Sequence, residues 1–305
     1  MPLRDSEGKI VGLVGISHDI TVRKLAEEEL TRRNAEMNTD LKVAREIQQS
    51  FLIHQYPTFS EGAAPSESAL QFCHRYLPAS SLAGDFFDIF SVSNTEAGIL
   101  ICDVMGHGIR AALITAFIRG LVEELMPLAA RPGAFLSELN RALFGIFQQS
   151  ESPFFVTTLY CVADIGRSQL RYANGGHPSP FLIRQSRAMV VRIRPDNFDP
   201  EPALGLIDQF EYSTCERPLT VGDRILAFTD GLPEVAGPGG TQLGEEWLHR
   251  QVSVNREMTL DDLFDHLLTD AKKQSGNDEF DDDVCLVGVQ VNAKTEGEQP
   301  PLFED

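Results

Sequence analysis

Between residues 69 and 291 short β-rich runs alternate irregularly with amphipathic helices, and no βαβ unit repeats. This irregularity restricts the fold strongly, because it favours an α+β sandwich over a doubly wound parallel sheet. Residues 70–76, 99–104, 155–163, 170–172, 210–215, 224–228 and 284–291 read as strands. Residues 108–125, 132–147, 245–251 and 260–273 read as helices.

Two further segments precede this region. A turn-rich Asp5-Ser6-Glu7-Gly8 leads into an apolar run over 10–17 at near period two, which predicts one strand. Residues 22–51 are rich in Ala, Glu, Leu, Arg and Lys and hold no Gly or Pro, the composition of a long helix. Leu30, Met37, Ala44 and Phe51 fall seven apart, with Asn34, Leu41 and Gln48 seven apart beside them. As d and a positions these form a seam for a parallel homodimeric coiled coil, with Asn34 and Gln48 as polar core residues that fix register. The alternative is an amphipathic helix packed on its own domain. His54-Gln55-Tyr56-Pro57 ends the helix, and 58–68 has the Ser, Ala, Gly and Pro content of a linker. The resulting divisions are 1–21, 22–56, 57–68, 69–292 and an acidic tail, 293–305.

The formal charge of -19 and the lack of a dense Lys/Arg stripe argue against a nucleic-acid partner. Acidity suits cations or simple solubility, so position has to decide between them. Five dispersed cysteines without a C-x-x-C pair indicate neither a disulfide framework nor zinc, and fit a cytoplasmic protein. No apolar run is long enough to insert in a membrane, and the first residues lack the pattern of a signal peptide.

Chemistry enters with four carboxylate sites. Asp103 ends the apolar run Ile99-Leu100-Ile101-Cys102 and precedes Val104-Met105-Gly106-His107-Gly108, while Asp230 ends Arg224-Ile225-Leu226-Ala227-Phe228-Thr229 and precedes Gly231. Asp85 follows Gly84, and Asp281-Asp282-Asp283 stand just before the last strand. One Asp-Gly is ordinarily a turn former. Four such sites at strand ends hold carboxylates rigid and open to solvent, where they repel unless a cation neutralises them. Hard oxygen donors select Mg²⁺ or Mn²⁺ over zinc.

Taken together, these boxes resemble the SpoIIE-type branch of the metal-dependent (PPM) serine/threonine phosphatases. The resemblance runs from about residue 43 to 291 and includes Ala44-Arg45-Glu46-Ile47-Gln48-Gln49-Ser50, Gly84-Asp85, Asp103 to Gly108, Asn174-Gly175-Gly176-His177-Pro178, Thr229-Asp230-Gly231 and Asp282-Asp283-Val284. The first two dozen residues resemble the final strand and exit of a PAS sensor domain.

The resemblance implies a central β-sandwich flanked by helices (αββα), an N-terminal signalling helix and two Mn²⁺ or Mg²⁺ ions per site. It implies that Asp103 bridges both ions, that the Val104 carbonyl completes one site and that Asp230 and Asp282 hold the other. Asp85 would ligate an ion or anchor its water, so Asp103 and Asp85 are the expected catalytic pair, with Asp283 and Gly231 supporting the ligands from behind. The implied substrate is a phosphorylated partner protein in bacterial stress signalling, of the STAS-domain anti-anti-sigma kind. Cys285 and Ala83 depart from the family pattern without removing a ligand. Asn174 and His177 read as loop-shaping residues before catalytic ones, and His107 as a helix-entry residue before a general acid. Arg75 is a phosphate-clamp candidate by position alone. A chain parted from its sensor is expected to show low or misregulated basal activity. Two rivals stand beside this reading: a catalytically weak PPM-fold interaction module, and a two-metal nucleotide enzyme, which the lack of a P-loop-type Gly-rich segment disfavours.

Overall fold

The computed structural model describes residues 2–13, 18–52, 55–59, 67–149, 153–194 and 200–293. The expected strand residues 14–17, His54, most of the linker and the acidic tail from 294 lie outside the described residues. The chain forms two compact units, Met1–Ala44 and Arg45–Asp305.

In the first unit β1 (Pro2–Arg4) and β2 (Ile10–Leu13) form an antiparallel hairpin. Asp5 closes its turn, its Oδ1 accepting from the backbone N–H groups of Glu7 (3.0 Å) and Lys9 (2.9 Å). Helix α1 (Thr21–Ser50) begins in this unit. It carries ion pairs at helical spacing, Arg23 with Glu27 and Arg32 with Glu36, and leaves Leu25, Leu30 and Met37 exposed. Such pairs contribute only a few tenths of a kcal/mol each, so they solubilise the helix rather than anchor it. The last helical residue is Ser50, a few residues before the expected stop.

The second unit holds two five-stranded antiparallel sheets. One has the order β10 (Cys215–Pro218), β7 (Gln169–Gly175), β6 (Val156–Asp164), β5 (Glu96–Val104), β4 (Asp85–Ser93). The other runs β3 (Leu70–Leu77), β12 (Val284–Val291), β11 (Arg224–Phe228), β8 (Phe181–Arg184), β9 (Met189–Arg192). Side chains alternate faces along each strand, and here both faces are covered. Ile99 and Ile101 point into the core shared with Ile225, Ala227 and Val287 of the other sheet, whereas Leu100 and Cys102 pack with α2 (Ile109–Leu125) and α3 (Pro132–Phe147). In the second sheet Leu226, Phe228 and Leu286 turn outward onto α4 (Gly244–Val254) and α5 (Leu260–Ser275). Burial on both faces explains why the central strands are apolar without alternation. The result is the expected four-layer sandwich.

Four strands of the second unit differ from expectation. Residues 85–93 form β4, and residues 181–192 form a hairpin of two four-residue strands, too short for periodicity to reveal. The expected strand at 210–215 is irregular instead, and β10 begins only at Cys215. The Tyr212 N–H there bonds Ser137 Oγ (2.9 Å) and the Ser213 N–H bonds Glu201 Oε1 (3.0 Å), so side chains satisfy backbone donors that a ladder would otherwise take. No helix among the described residues is long and apolar enough to cross a membrane.

Candidate functional site

Strand register brings the first two aspartates together. Asp85 opens β4 and Asp103 stands next to the end of β5, and the two are direct antiparallel partners. Val104, the last residue of β5, pairs with Val156 of β6. The loop before β4 lies against the turn after β5: the Val104 N–H donates to the Gly84 carbonyl (3.2 Å) and the Gly108 N–H to the Leu82 carbonyl (3.2 Å). Only glycine fits at position 84, where a Cβ would stand 2.7 Å from the Gly106 carbonyl oxygen and 2.9 Å from that of Val104.

The other aspartates come from the second sheet. Asp230 follows β11, and Asp282 and Asp283 precede β12, its antiparallel neighbour. A Cβ on Gly231 would overlap the Asp283 carbonyl oxygen, so a bare glycine lets the two loops touch. Gly231→Ala is therefore expected to lose about 1–3 kcal/mol of stability through overpacking, measured by urea unfolding.

Thr229 joins the sheets. Its hydroxyl donates to Asp85 Oδ2 (2.7 Å) and accepts from the Cys285 N–H (2.9 Å). Asp283 is buried, and its oxygens accept from the backbone N–H groups of Ala79 (2.8 Å) and Gly84 (2.6 Å). It staples the loop before Asp85 and so supports the cluster from behind, while Asp282 lies exposed beside it.

Burial and like charges act together on these acids. Burial, then Asp230 and Asp282, raises Asp103 to about 7. Burial, then Glu234 and Asp282, raises Asp230 to about 6. Asp85 lies well above the carboxylate range, first through burial and then through Asp103, with the Thr229 hydrogen bond pulling the other way. Carboxylates raised by burial and by one another's charge are donors that a divalent cation relieves. Glu234, not expected from the sequence, joins the group through its influence on Asp103 and Asp230, and its N–H bonds the Asp230 carbonyl (2.8 Å).

Among the described residues no three His, Cys, Asp or Glu side chains close into a cage that could hold an ion. An oxygen-only, open set of this kind fits Mg²⁺ or Mn²⁺ in one respect, since Mg²⁺ keeps several waters and uses only one or two carboxylates directly. It suits zinc less, because zinc sites are built mainly on His and Cys donors and this set has neither.

The remaining candidates separate cleanly. Arg75 is no phosphate clamp: its guanidinium is held by Asp265 (2.7 and 3.0 Å) and Asp261 (3.0 Å) of α5. Asn174 accepts from the His177 N–H (2.8 Å) and donates to the His177 carbonyl (2.9 Å), which shapes the turn after β7. The buried His177 ring meets Thr157 Oγ1 at 2.8 Å, and burial lowers its pKa to about 3, so it stays neutral. His107 is exposed in the turn before α2. A cavity of about 380 Å³ adjoins Asp230 and is lined also by Thr157, His177, Arg192 and Glu245.

The family described as Stage II sporulation protein E (SpoIIE) matches residues 93–292. Phosphoserine phosphatase RsbP of Bacillus subtilis (strain 168) is 27% identical over 253 residues, covering 83% of this chain and 58% of RsbP. Phosphoserine phosphatase RsbU of the same strain is 26% identical over 205 residues, covering 67% of this chain and 56% of RsbU. The chain thus spans little more than half the length of these relatives. The SiaA-PP2C domain of Pseudomonas aeruginosa superposes with a TM-score of 0.69 at 20% identity, over 85% of this chain and 98% of that domain, a likeness of fold.

Proposed function

This chain belongs to the SpoIIE family, and on that premise we propose that it is a divalent-cation-dependent phosphatase acting on phosphoserine or phosphothreonine of a partner protein. The observation that carries the reading is the pairing of Asp85 with Asp103 across β4 and β5, with Asp230 and Asp282 pressing on the same charge. RsbP and RsbU are phosphoserine phosphatases by name, which sets the expected reaction class.

In this reading Asp103, the Val104 carbonyl, Asp230 and Asp282 would hold the cations, and Asp85 would ligate one of them or anchor its water. When bound, Mn²⁺ or Mg²⁺ supplies positive charge that acidifies water and neutralises the phosphoryl oxygens. Asp85 and Asp103 orient the attacking water. Its oxygen bonds to phosphorus, the ester bond to the serine or threonine oxygen breaks, that oxygen takes up a proton in place of the one the water gives up, and inorganic phosphate and the free hydroxyl leave. The cavity beside Asp230 takes the segment flanking the phosphorylated residue. Thr229, Gly231 and Asp283 hold the ligands in place by the contacts described above.

The wider arrangement belongs to the same proposal. Residues 1–21 are the end of a PAS-like sensor, 22–56 a signalling helix, and 69–292 the catalytic domain. The exposed Leu30 and Met37 form a seam for a homodimer. The partner is a STAS-domain anti-anti-sigma protein, and five free thiols suit the cytoplasm.

Manganese-dependent release of phosphate from an aryl phosphate and from a phosphoserine protein tests this, with Asp230→Asn expected to lose about 10²-fold or more of the parent rate. Cation binding without turnover on any phosphoprotein would favour instead an interaction module that has kept the fold.

A further inference from the structure

Among the described residues Gln48 is the one residue of the thirty in α1 that is buried, at 8% exposure. The heptad pattern assigns it to a seam facing another helix. Its amide faces instead into the second unit, of which residues 45–50 are part. Gln48 Nε2 donates to the Ala83 carbonyl (2.8 Å) and to Thr115 Oγ1 of α2 (3.1 Å), while Oε1 accepts from the Ala83 N–H (3.1 Å).

Both backbone groups of Ala83 are thus held by one side chain. The next residue, Gly84, donates its N–H to Asp283 Oδ2 (2.6 Å), and the one after it is Asp85. The loop is clamped from two directions, by Asp283 before β12 and by Gln48 at the end of α1. It rests against the Val104 and Gly106 carbonyls, with no room at Gly84 for even a methyl group. Thr115 lies one turn and a half into α2, the helix that follows Asp103 and its glycine turn. One glutamine therefore ties the segment that leads into Asp85 to α2, the helix that follows Asp103 and Val104.

Docking a helix needs no such bonds, because apolar burial does it without satisfying a polar side chain. A buried amide that saturates the N–H and C=O of one residue fixes that residue's position and orientation.

We propose that Gln48 is a positioning residue for the cation site: it sets the Ala83-Gly84-Asp85 loop against the Val104 carbonyl and thereby sets the affinity of the site for divalent cations. This rests on the phosphatase reading for the identity of the site, and names a residue that the reading does not use.

The test is Mn²⁺ binding by titration calorimetry on the full chain, alongside the Mn²⁺ dependence of aryl phosphate hydrolysis. Gln48→Met keeps the length of the side chain and removes all three bonds. Gln48→Glu keeps the acceptor for the Ala83 N–H and loses both donations. Thr115→Val removes the bond from Gln48 and the one Thr115 Oγ1 donates to the Ala112 carbonyl (2.9 Å), and leaves both bonds to Ala83.

The expected result is Mn²⁺ affinity about tenfold or more weaker in Gln48→Met, the range seen when a group that orients a metal ligand is lost. Gln48→Glu is expected to fall between it and the parent, and Thr115→Val to bind within about twofold of the parent. Turnover at saturating Mn²⁺ is expected to recover more fully than turnover at limiting Mn²⁺. Parent-like Mn²⁺ affinity in Gln48→Met and Gln48→Glu would overturn the proposal whatever happens to their melting temperatures, since Gln48 would then only dock the helix. If Gln48→Met does not fold, parent-like affinity in Gln48→Glu suffices to overturn it. A parent that binds Mn²⁺ and hydrolyses no phosphoester would refute the phosphatase reading while calorimetry still decided the role of Gln48. A parent that takes up no Mn²⁺ would overturn both.

Discussion

Asp103→Asn is expected to abolish phosphatase turnover, by about 10³-fold or more, and yet to be more stable than the parent at pH 8 in the presence of a chelator. The loss of rate follows from the ligand role proposed for Asp103: an interaction worth several kcal/mol in the transition state would disappear with it, and each 1.4 kcal/mol is about tenfold. The gain in stability follows from the charge. Burial and the neighbouring Asp230 and Asp282 raise the Asp103 carboxyl to about 7, against 3.8 in a model carboxylate.

Folding therefore takes up a proton between these two values, and stability falls as pH rises from about 4 to about 7 and remains reduced above. A raised carboxylate thus contributes the opposite of an ion-paired one. Asparagine never ionises, so the variant escapes a penalty on the order of a few kcal/mol. Asp230, raised to about 6, adds a slope of the same sign at slightly lower pH. Melting temperatures recorded from pH 5 to 8 are expected to fall for the parent and to fall less steeply for Asp103→Asn, where Asp230 still contributes. Added Mn²⁺ is expected to raise the parent's melting temperature more at pH 8 than at pH 5, because cation and proton compete for the same oxygens. A parent whose stability does not depend on pH in chelator would show that burial and like charge do not raise these acids.

The separate legibility of the parts has physical reasons. Asp103 and Asp230 could be read because each ends a run of residues buried on both faces of a sheet, where a charged side chain can stand only at the rim. Pairing could not be read. Asp85 was expected beside the other acids from its Gly84-Asp85 box, but only the β4 and β5 register makes it the direct partner of Asp103. Thr229 sat inside a recognised box, but a hydroxyl that bridges two sheets is a property of their packing. Arg75 shows the converse: its position suggested an anion, and two acids from a helix 186 and 190 residues later hold it. Gln48 fits a heptad as well as it fits a buried amide site, since seven-residue spacing defines a face and not what the face meets.

Thr229→Val is expected to cost about 2–5 kcal/mol of stability and to shift the acid limb of the activity profile to higher pH. Valine has nearly the same shape, so no cavity opens at a residue with 0% exposure. What disappears is the hydroxyl between Asp85 Oδ2 and the Cys285 N–H. Each buried polar group left without a partner costs about 1–3 kcal/mol, and a charged one more. The hydrogen bond from Thr229 is also the influence that lowers Asp85 against burial and Asp103. Without it Asp85 keeps its proton to higher pH, cation binding has to displace that proton, and turnover at neutral pH falls. Thr229→Ser retains the hydroxyl and is expected to restore the pH profile while giving up only the packing of one methyl group, about 1 kcal/mol. Urea unfolding and a pH profile of Mn²⁺-dependent hydrolysis measure the two effects separately. If valine lowered stability but left the pH profile of the parent unchanged, the Thr229 hydroxyl would hold the two sheets together without tuning the acid at the site.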